Sequence, residues 1–150
     1  MSAITVRDAI AADAPLIARC NVAMAAETED KPLDATLVEQ GVANLIGNPA
    51  RGFYRLAEYE GEVAGSLMIT YEWSDWRNAD IWWIQSVYVL PALRRRGVFR
   101  ALYRDVEQAA RKAGACGLRL YAETANHRAH RTYEALGMSS GHYAVFEAMF

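Results

Sequence analysis

Three β-rich runs follow one another between Gly52 and Leu90 with no helical stretch between them, and this succession constrains the fold more than any other feature. Phe53, Tyr54, Leu56 and Tyr59 suit a pleated, half-buried surface. Glu60-Gly61 then reads as a two-residue hairpin turn, with glycine supplying a positive φ. The returning run, Val63 to Trp73, carries Leu67, Ile69 and Tyr71, and after a polar break from Ser74 to Ala79 a third run extends from Ile81 to Leu90. Strands joined by tight turns pair antiparallel, so the middle of the sheet is expected to be antiparallel.

Helical periodicity brackets this block. Ile4 to Arg7 alternates as a short first strand, and Asp13 stands as an N-cap ahead of Pro15. Leu16, Ile17, Cys20, Ala23 and Met24 follow at helical spacing, which predicts a helix to about Glu27. The tract Glu27 to Lys31, followed by Pro32, ends it, and Asp34 caps a second helix carrying Leu37, Val38, Val42, Leu45 and Ile46. Beyond Pro91, Val98, Ala101, Leu102, Val106, Ala109 and Ala110 share one helical face, which Gly114 ends. Leu118, Leu120 and Ala122 alternate with Arg119, Tyr121 and Glu123 as a strand. Asn126 opens a short helix over Ala129 to Leu136, and His142 to Phe150 alternates as a last strand. The expected fold class is α/β in the broad sense (α+β), a mixed and largely antiparallel sheet in one domain spanning residues 1–150.

Composition narrows the function classes. With 150 residues, 53% of them hydrophobic, the chain can bury a substantial core. A formal net charge of −2 and a pI near 5.9 provide no global field for nucleic acid or an anionic membrane, so neither is expected as a partner. Cys20 and Cys116 are too few for a disulfide framework and fit a reduced compartment. The start MSAITVRDAI lacks a signal-peptide pattern, and no run approaches about 18 apolar residues. A cytoplasmic location is expected. His127, His130 and His142 have no metal-like spacing with a cysteine, and no metal is expected.

The chemistry concentrates where the third β run meets the next helix, at Arg94-Arg95-Arg96-Gly97-Val98-Phe99-Arg100-Ala101. A helix N-terminus leaves N–H groups without intrahelical partners and carries partial positive charge; glycine lets main chain approach an oxyanion, and arginines add bidentate donors. An exposed basic helix start is the plainer reading of the same residues. The run resembles the coenzyme A-binding signature Q/R-x-x-G-x-G/A of the GCN5-related N-acetyltransferases (GNAT), with Arg94 first, Gly97 fourth and Phe99 in the place of the final Gly or Ala. It follows Val89-Leu90-Pro91, and Asn126-x-x-Ala129-x-x-x-Tyr133 resembles the family's second motif.

The resemblance implies a GNAT-like twisted sheet of roughly six to seven strands flanked by about four helices, and acetyl-CoA as cosubstrate. It implies main-chain contacts from Val87, Tyr88 and Val89 to the pantetheine arm. It implies a pyrophosphate held by Arg94, Arg95, Arg96, Gly97, Val98, Phe99, Arg100 and Ala101. Asn126 would bond the cofactor arm, and Tyr133 would protonate the departing thiolate. Many relatives place a basic glutamate on the strand before the signature, but Ile81 to Leu90 has no carboxylate. Glu123, Glu72 and His127 are the alternatives, Glu123 first. Glu27, Glu72 and Trp73 are candidates for holding a cationic acceptor, Trp76 another aromatic wall. The expected activity is acetyl transfer to a primary amine of a small molecule or peptide by direct attack, possible homodimerisation being a family trait. A non-catalytic coenzyme A-binding sensor or assembly module is the alternative.

Overall fold

The structure, a computed structural model, describes residues 3–141 and 143–150. It divides into two units, Met1–Leu120 and Tyr121–Phe150.

The first unit holds a five-stranded sheet in the order β1-β2-β3-β4-β5, formed by Ile4–Asp8, Gly52–Tyr59, Glu62–Ser74, Ala79–Val89 and Gly117–Arg119. Neighbours are antiparallel except β4 and β5, which are parallel. The hairpin at Glu60-Gly61 forms as expected, with φ of 51° and 85°, so both turn residues are left-handed and follow the twist of the strands. Five strands form, not six or seven. β5 stops at Arg119, and residues 120–123 carry no strand. Residues 143–150 are exposed and carry no strand either, while His142 lies outside the described residues.

Helices α1 (Ala14–Glu29) and α2 (Ala35–Ile46) cover one face of the sheet, where Ile17, Ala18, Val42 and Leu45 pack with Tyr54 and Leu56. Helix α3 (Val98–Ala113) lies across all five strands, burying Val98, Leu102, Val106 and Ala110. Asp34 caps α2 by accepting from the N–H groups of Thr36 and Leu37. Leu37, assigned to the apolar face from its spacing, is instead 66% exposed. Asp13 stands at the start of α1 but its side chain makes no capping bond. Its oxygens instead bind Arg7, at 2.9 and 3.0 Å, and the Ile10 N–H at the start of the preceding 3-10 turn, at 2.7 Å, so they are turned back from the first N–H groups of α1.

The second unit contains α4 (His127–Ala135), opened by Asn126, whose Oδ1 accepts from the Ala129 N–H at 3.2 Å.

Gly65 faces α3 where β3 meets the end of β4: a Cβ there would lie 2.7 Å from the Tyr88 carbonyl oxygen and 3.2 Å from Val98 Cγ1. Neither neighbour can withdraw cheaply, one being backbone and the other fully packed. Gly65→Ala is expected to cost about 1–3 kcal/mol. Gly117→Ala, which would meet nothing within 4 Å, should stay within about 0.5 kcal/mol. Urea denaturation of the two variants checks the difference.

Candidate functional site

β4 is a strand with two different edges. Its pairing with β3 runs its full length, from Ser74↔Ala79 to Gly65↔Val89. Its pairing with β5 covers only Ile81, Trp82 and Trp83. From Ile84 to Val89 the β5-side edge has no strand partner among the described residues, so main-chain donors and acceptors there can receive an extended ligand. Between Gln85 and Tyr88 the register with β3 slips by one residue, and Ser86 adopts φ 51°. This is a β-bulge with a non-glycine residue at the left-handed position, a feature that bends a strand and re-aims its groups. Val87 is therefore in the bulge, Tyr88 is opposite Ser66 and Val89 opposite Gly65.

β4 ends before Pro91, and a short 3-10 turn, Pro91–Leu93, leads into the arginine loop. Arg95 has φ 65° and Gly97 φ 83°, after which α3 starts. No side chain caps α3, so its first N–H groups have no side-chain acceptor, and the space beside Gly97 is open, a Cβ there meeting nothing within 4 Å. These features fit a phosphate group. Val98 is buried and anchors the helix; Ala101 donates its N–H to the Gly97 carbonyl, beginning the ladder. The Phe99 ring lies against Tyr103, with centroids 6.2 Å apart, along the helix flank. Arg94 is held by Glu27, and Arg96 donates to Tyr59 Oη at 3.2 Å with its guanidinium 5.4 Å from that ring's centre. Arg95 and Arg100 are exposed, and their side chains form no hydrogen bond or ion pair among the described residues.

The two faces of the sheet divide the aromatic cluster. Trp82 packs edge-on to Phe53 and Tyr71, at 5.4 and 5.6 Å, on the α3 face. Trp83 points to the α1–α2 face and donates from Nε1 to Glu72 at 2.6 Å. Arg119 also binds Glu72, at 3.0 and 3.1 Å, and Gln85 donates to Thr70 Oγ1 at 2.6 Å. Bonds from Trp83 and then Arg119 hold the Glu72 carboxyl below the usual carboxylate range, which disfavours it as a proton acceptor near neutrality. Trp73 is 60% exposed and, being adjacent to Glu72 on a strand, faces the other side. Glu72 and Trp73, two of the candidates for holding the acceptor, therefore do not share a face. Observed β4 begins earlier than expected and includes Asp80, but at the far end of the strand from the bulge.

In the second unit, Asn126 and Tyr133 are two turns apart along α4, and burial raises the Tyr133 phenol above its ordinary value. Glu123 is exposed and outside β5; its main-chain carbonyl, not its carboxylate, meets His130 Nε2 at 2.9 Å. Among the described residues no three His, Cys, Asp or Glu side chains gather as a metal ligand set, and no helix is long and apolar enough to cross a membrane.

The bulge, the Tyr88–Glu27–Arg94 contacts and the Gln85–Thr70 pair escaped sequence reasoning. Only the Glu72–Trp83 contact had a readable signal. A hairpin closing between Ser74 and Ala79 sets Glu72 opposite Ile81, which places Trp83 diagonally across from it.

A half-open strand edge leading into a helix start without a side-chain cap is a geometry that can receive an extended, phosphate-bearing ligand. The model of the acetyltransferase (GNAT) family matches residues 18–138, and the chain belongs to that family, whose members use acetyl-CoA. A possible acetyltransferase from Clostridium difficile 630 is 38% identical, covering 98% of this chain and 97% of that one, with a TM-score of 0.91. Two more distant structures share the fold. One is a predicted acetyltransferase with acetyl-CoA from Clostridium acetobutylicum (14% identity, TM-score 0.81, 97% and 96% covered). The other is a ribosomal-protein-alanine N-acetyltransferase from Brucella melitensis biovar Abortus 2308 (17% identity, TM-score 0.78, 99% of each). No curated protein matches the chain.

Because the bound form of Glu72 is the anion, its contribution to stability is present above the unfolded carboxylate value and is lost as pH falls through the folded one. Wild type should therefore lose more stability than Glu72→Gln between about pH 5 and pH 3. The pair is solvated, so the difference should not exceed about 1 kcal/mol. Denaturant midpoints across that range measure it.

Proposed function

We propose that the chain transfers acetyl from acetyl-CoA to a primary amine of a small molecule or peptide. The observation that carries this reading is the junction of β4 and α3, where an unpartnered strand edge runs into an uncapped helix start flanked by Arg95 and Arg100. The main chain of Val87, Tyr88 and Val89 receives the pantetheine arm. The N–H groups from Arg95 to Arg100 hold the pyrophosphate, that of Ala101 being taken by the Gly97 carbonyl, with the dipole of a 16-residue helix behind them. The amine attacks the thioester carbonyl, an oxyanion forms, and the bulged main chain near Val87 supplies an N–H to it. The carbon–sulfur bond then breaks, and Tyr133 gives its proton to the thiolate. A phenol raised by burial is protonated at neutral pH and suited to that donation.

Asn126 binds the cofactor arm through its amide N–H₂, since its carbonyl oxygen caps α4. The amine must shed a proton before attack, and Glu72 is a poor acceptor for it. Glu123, exposed and off the strand, takes it through water, with His127 as the other candidate. Glu72, on the α1–α2 face, orients a cationic acceptor. A second reading, a coenzyme A-binding module without catalysis, is favoured by one observation: the stretch of β4 around the bulge, from Ile81 to Val89, offers no carboxylate.

Thiol release from acetyl-CoA across a panel of primary amines is expected to be amine-dependent. Tyr133→Phe should lower kcat about 100-fold or more while the dissociation constant for coenzyme A changes by less than about twofold. Unchanged turnover would remove Tyr133 from the acid role, and coenzyme A binding without transfer to any amine would favour the module.

A further inference from the structure

Four arginines surround the start of α3, and the structure gives them unequal surroundings. Arg94 Nη2 meets Glu27 Oε2 at 2.7 Å, its Nε donates to the Val89 carbonyl at 2.9 Å, and its guanidinium sits 5.3 Å from the centre of the Tyr88 ring. Glu27 Oε1 accepts from Tyr88 Oη at 2.7 Å. Tyr88 is only 6% exposed, so the phenol is fixed in place. We infer that Glu27, Tyr88 and Arg94 form a brace that positions the β4–α3 loop, and that Arg94 is a positioning residue rather than a ligand of the phosphates. The inference rests on the reading of this junction as the coenzyme A site.

Three arguments support it. First, the contacts join three separate pieces of chain: the last turn of α1, the strand end after the bulge, and the loop itself. A guanidinium oriented on three sides cannot turn toward an anion without leaving a carboxylate and a carbonyl behind. Second, the charge is accounted for. The Glu27 carboxyl, lowered by Tyr88 first and by Arg94, is an anion that neutralises Arg94 locally, so little of that positive charge reaches the loop. Arg96 is likewise laid on Tyr59. The charge left for a ligand belongs to Arg95 and Arg100. Third, the loop needs holding. Arg95 is a side-chain-bearing residue at φ 65°, a conformation of higher energy, and it persists where its neighbours are fixed. Arg94, tied to Val89 immediately upstream, fixes one neighbour, and the buried Val98 fixes the helix downstream.

The brace also changes what Glu27 does. Its charge serves the loop, so it is not available to attract an acceptor amine, and the acidic tract after α1 contributes to cosubstrate binding indirectly.

Calorimetric titration with coenzyme A at several salt concentrations tests this. Arg95→Ala and Arg100→Ala should each raise the dissociation constant about tenfold and make it less sensitive to salt, since a screened charge contact is gone. Arg94→Ala should raise it about three- to tenfold with salt sensitivity unchanged, and Arg94→Lys should behave like Arg94→Ala because a point charge cannot make the three-sided contact. Combining Arg94→Ala with Glu27→Gln should weaken binding no further than Arg94→Ala alone. Rescue by lysine, flattened salt dependence in Arg94→Ala, or tighter coenzyme A binding by Glu27→Gln would each overturn the inference in favour of a direct phosphate contact. A ligand-free measurement separates failure of the brace from failure of the site. Urea denaturation of Glu27→Gln, Arg94→Ala and the double variant should be non-additive, and additive losses would show that the brace does not form. If wild type fails to bind coenzyme A, the site reading falls, and the role assigned to Arg94 falls with it even where that coupling is found.

Discussion

The main-chain pairing of β4 is the constraint on which the rest depends. β4 is hydrogen-bonded along one edge for its whole length and along the other for three residues, so among the described residues the backbone groups of that second edge from Ile84 on have no strand partner. Water satisfies them in the absence of a ligand, and an amide-bearing ligand can replace that water at little cost because the groups are already aligned. The bulge at Ser86 makes this opening a property of the strand itself. The added residue bends β4, and Pro91, which has no N–H, helps end it as the backbone enters the arginine loop. Gly65 on β3 is part of the same arrangement: the Tyr88 carbonyl occupies the space its side chain would need.

Because β4 lies inside the sheet, between β3 and β5, its alternate residues serve two different environments. The α3 face receives Trp82 and Ile84, both buried, which anchor the strand in an apolar layer with Phe53 and Tyr71. The α1–α2 face receives Trp83, Gln85 and Tyr88, and each carries a polar atom that finds a partner: Glu72, Thr70 and Glu27. These bonds pair the polar atoms of Trp83, Gln85 and Tyr88, while the buried Ser66 Oγ, opposite Tyr88, has no hydrogen-bond partner among the described residues. The bonds also limit that face. A carboxylate already bound by an indole N–H and a guanidinium is stabilised as an anion, so Glu72 serves better as a fixed charge than as a proton acceptor.

Much of this architecture was readable from residue order. Period-two runs, the Glu60-Gly61 turn, the Asp34 cap and the apolar face of α3 are local signals, and each element formed close to where its signal lay. The errors have a common cause. Alternation in 120–123 and 143–150 suggested strands, but alternation states only that a segment could pair; whether it does depends on a neighbour that local pattern cannot specify. Asp13 does not cap α1 because its carboxylate is engaged behind the helix start, by Arg7 and by the Ile10 N–H, partners that local pattern did not reveal. At the site, Gly97 and the arginines were visible as a group, whereas their division was not. Glu27 stands 67 residues from Arg94 and 61 from Tyr88, and nothing in a row of three arginines indicates which of them a distant carboxylate will take.

The short helix α4 shows how a local requirement shapes what a side chain can offer. Asn126 sits at the N-cap with φ −85° and ψ 72°, and its Oδ1 accepts from Ala129, which orients the amide plane. Accepting that bond fixes the opposite arm of the amide as a donor pair. A ligand that presents an acceptor, such as a carbonyl oxygen, would meet two free donors there, whereas one that presents a donor would have to share an oxygen that already accepts one bond. Aspartate could cap the helix equally well but would offer a ligand no donor at neutral pH, and alanine would lose both functions. Asparagine thus meets the demand the structure shows, a helix start that needs an acceptor, and would meet a second in the proposed function, a group that donates to a ligand. The second demand is consistent with the amide-rich arm of the proposed cosubstrate.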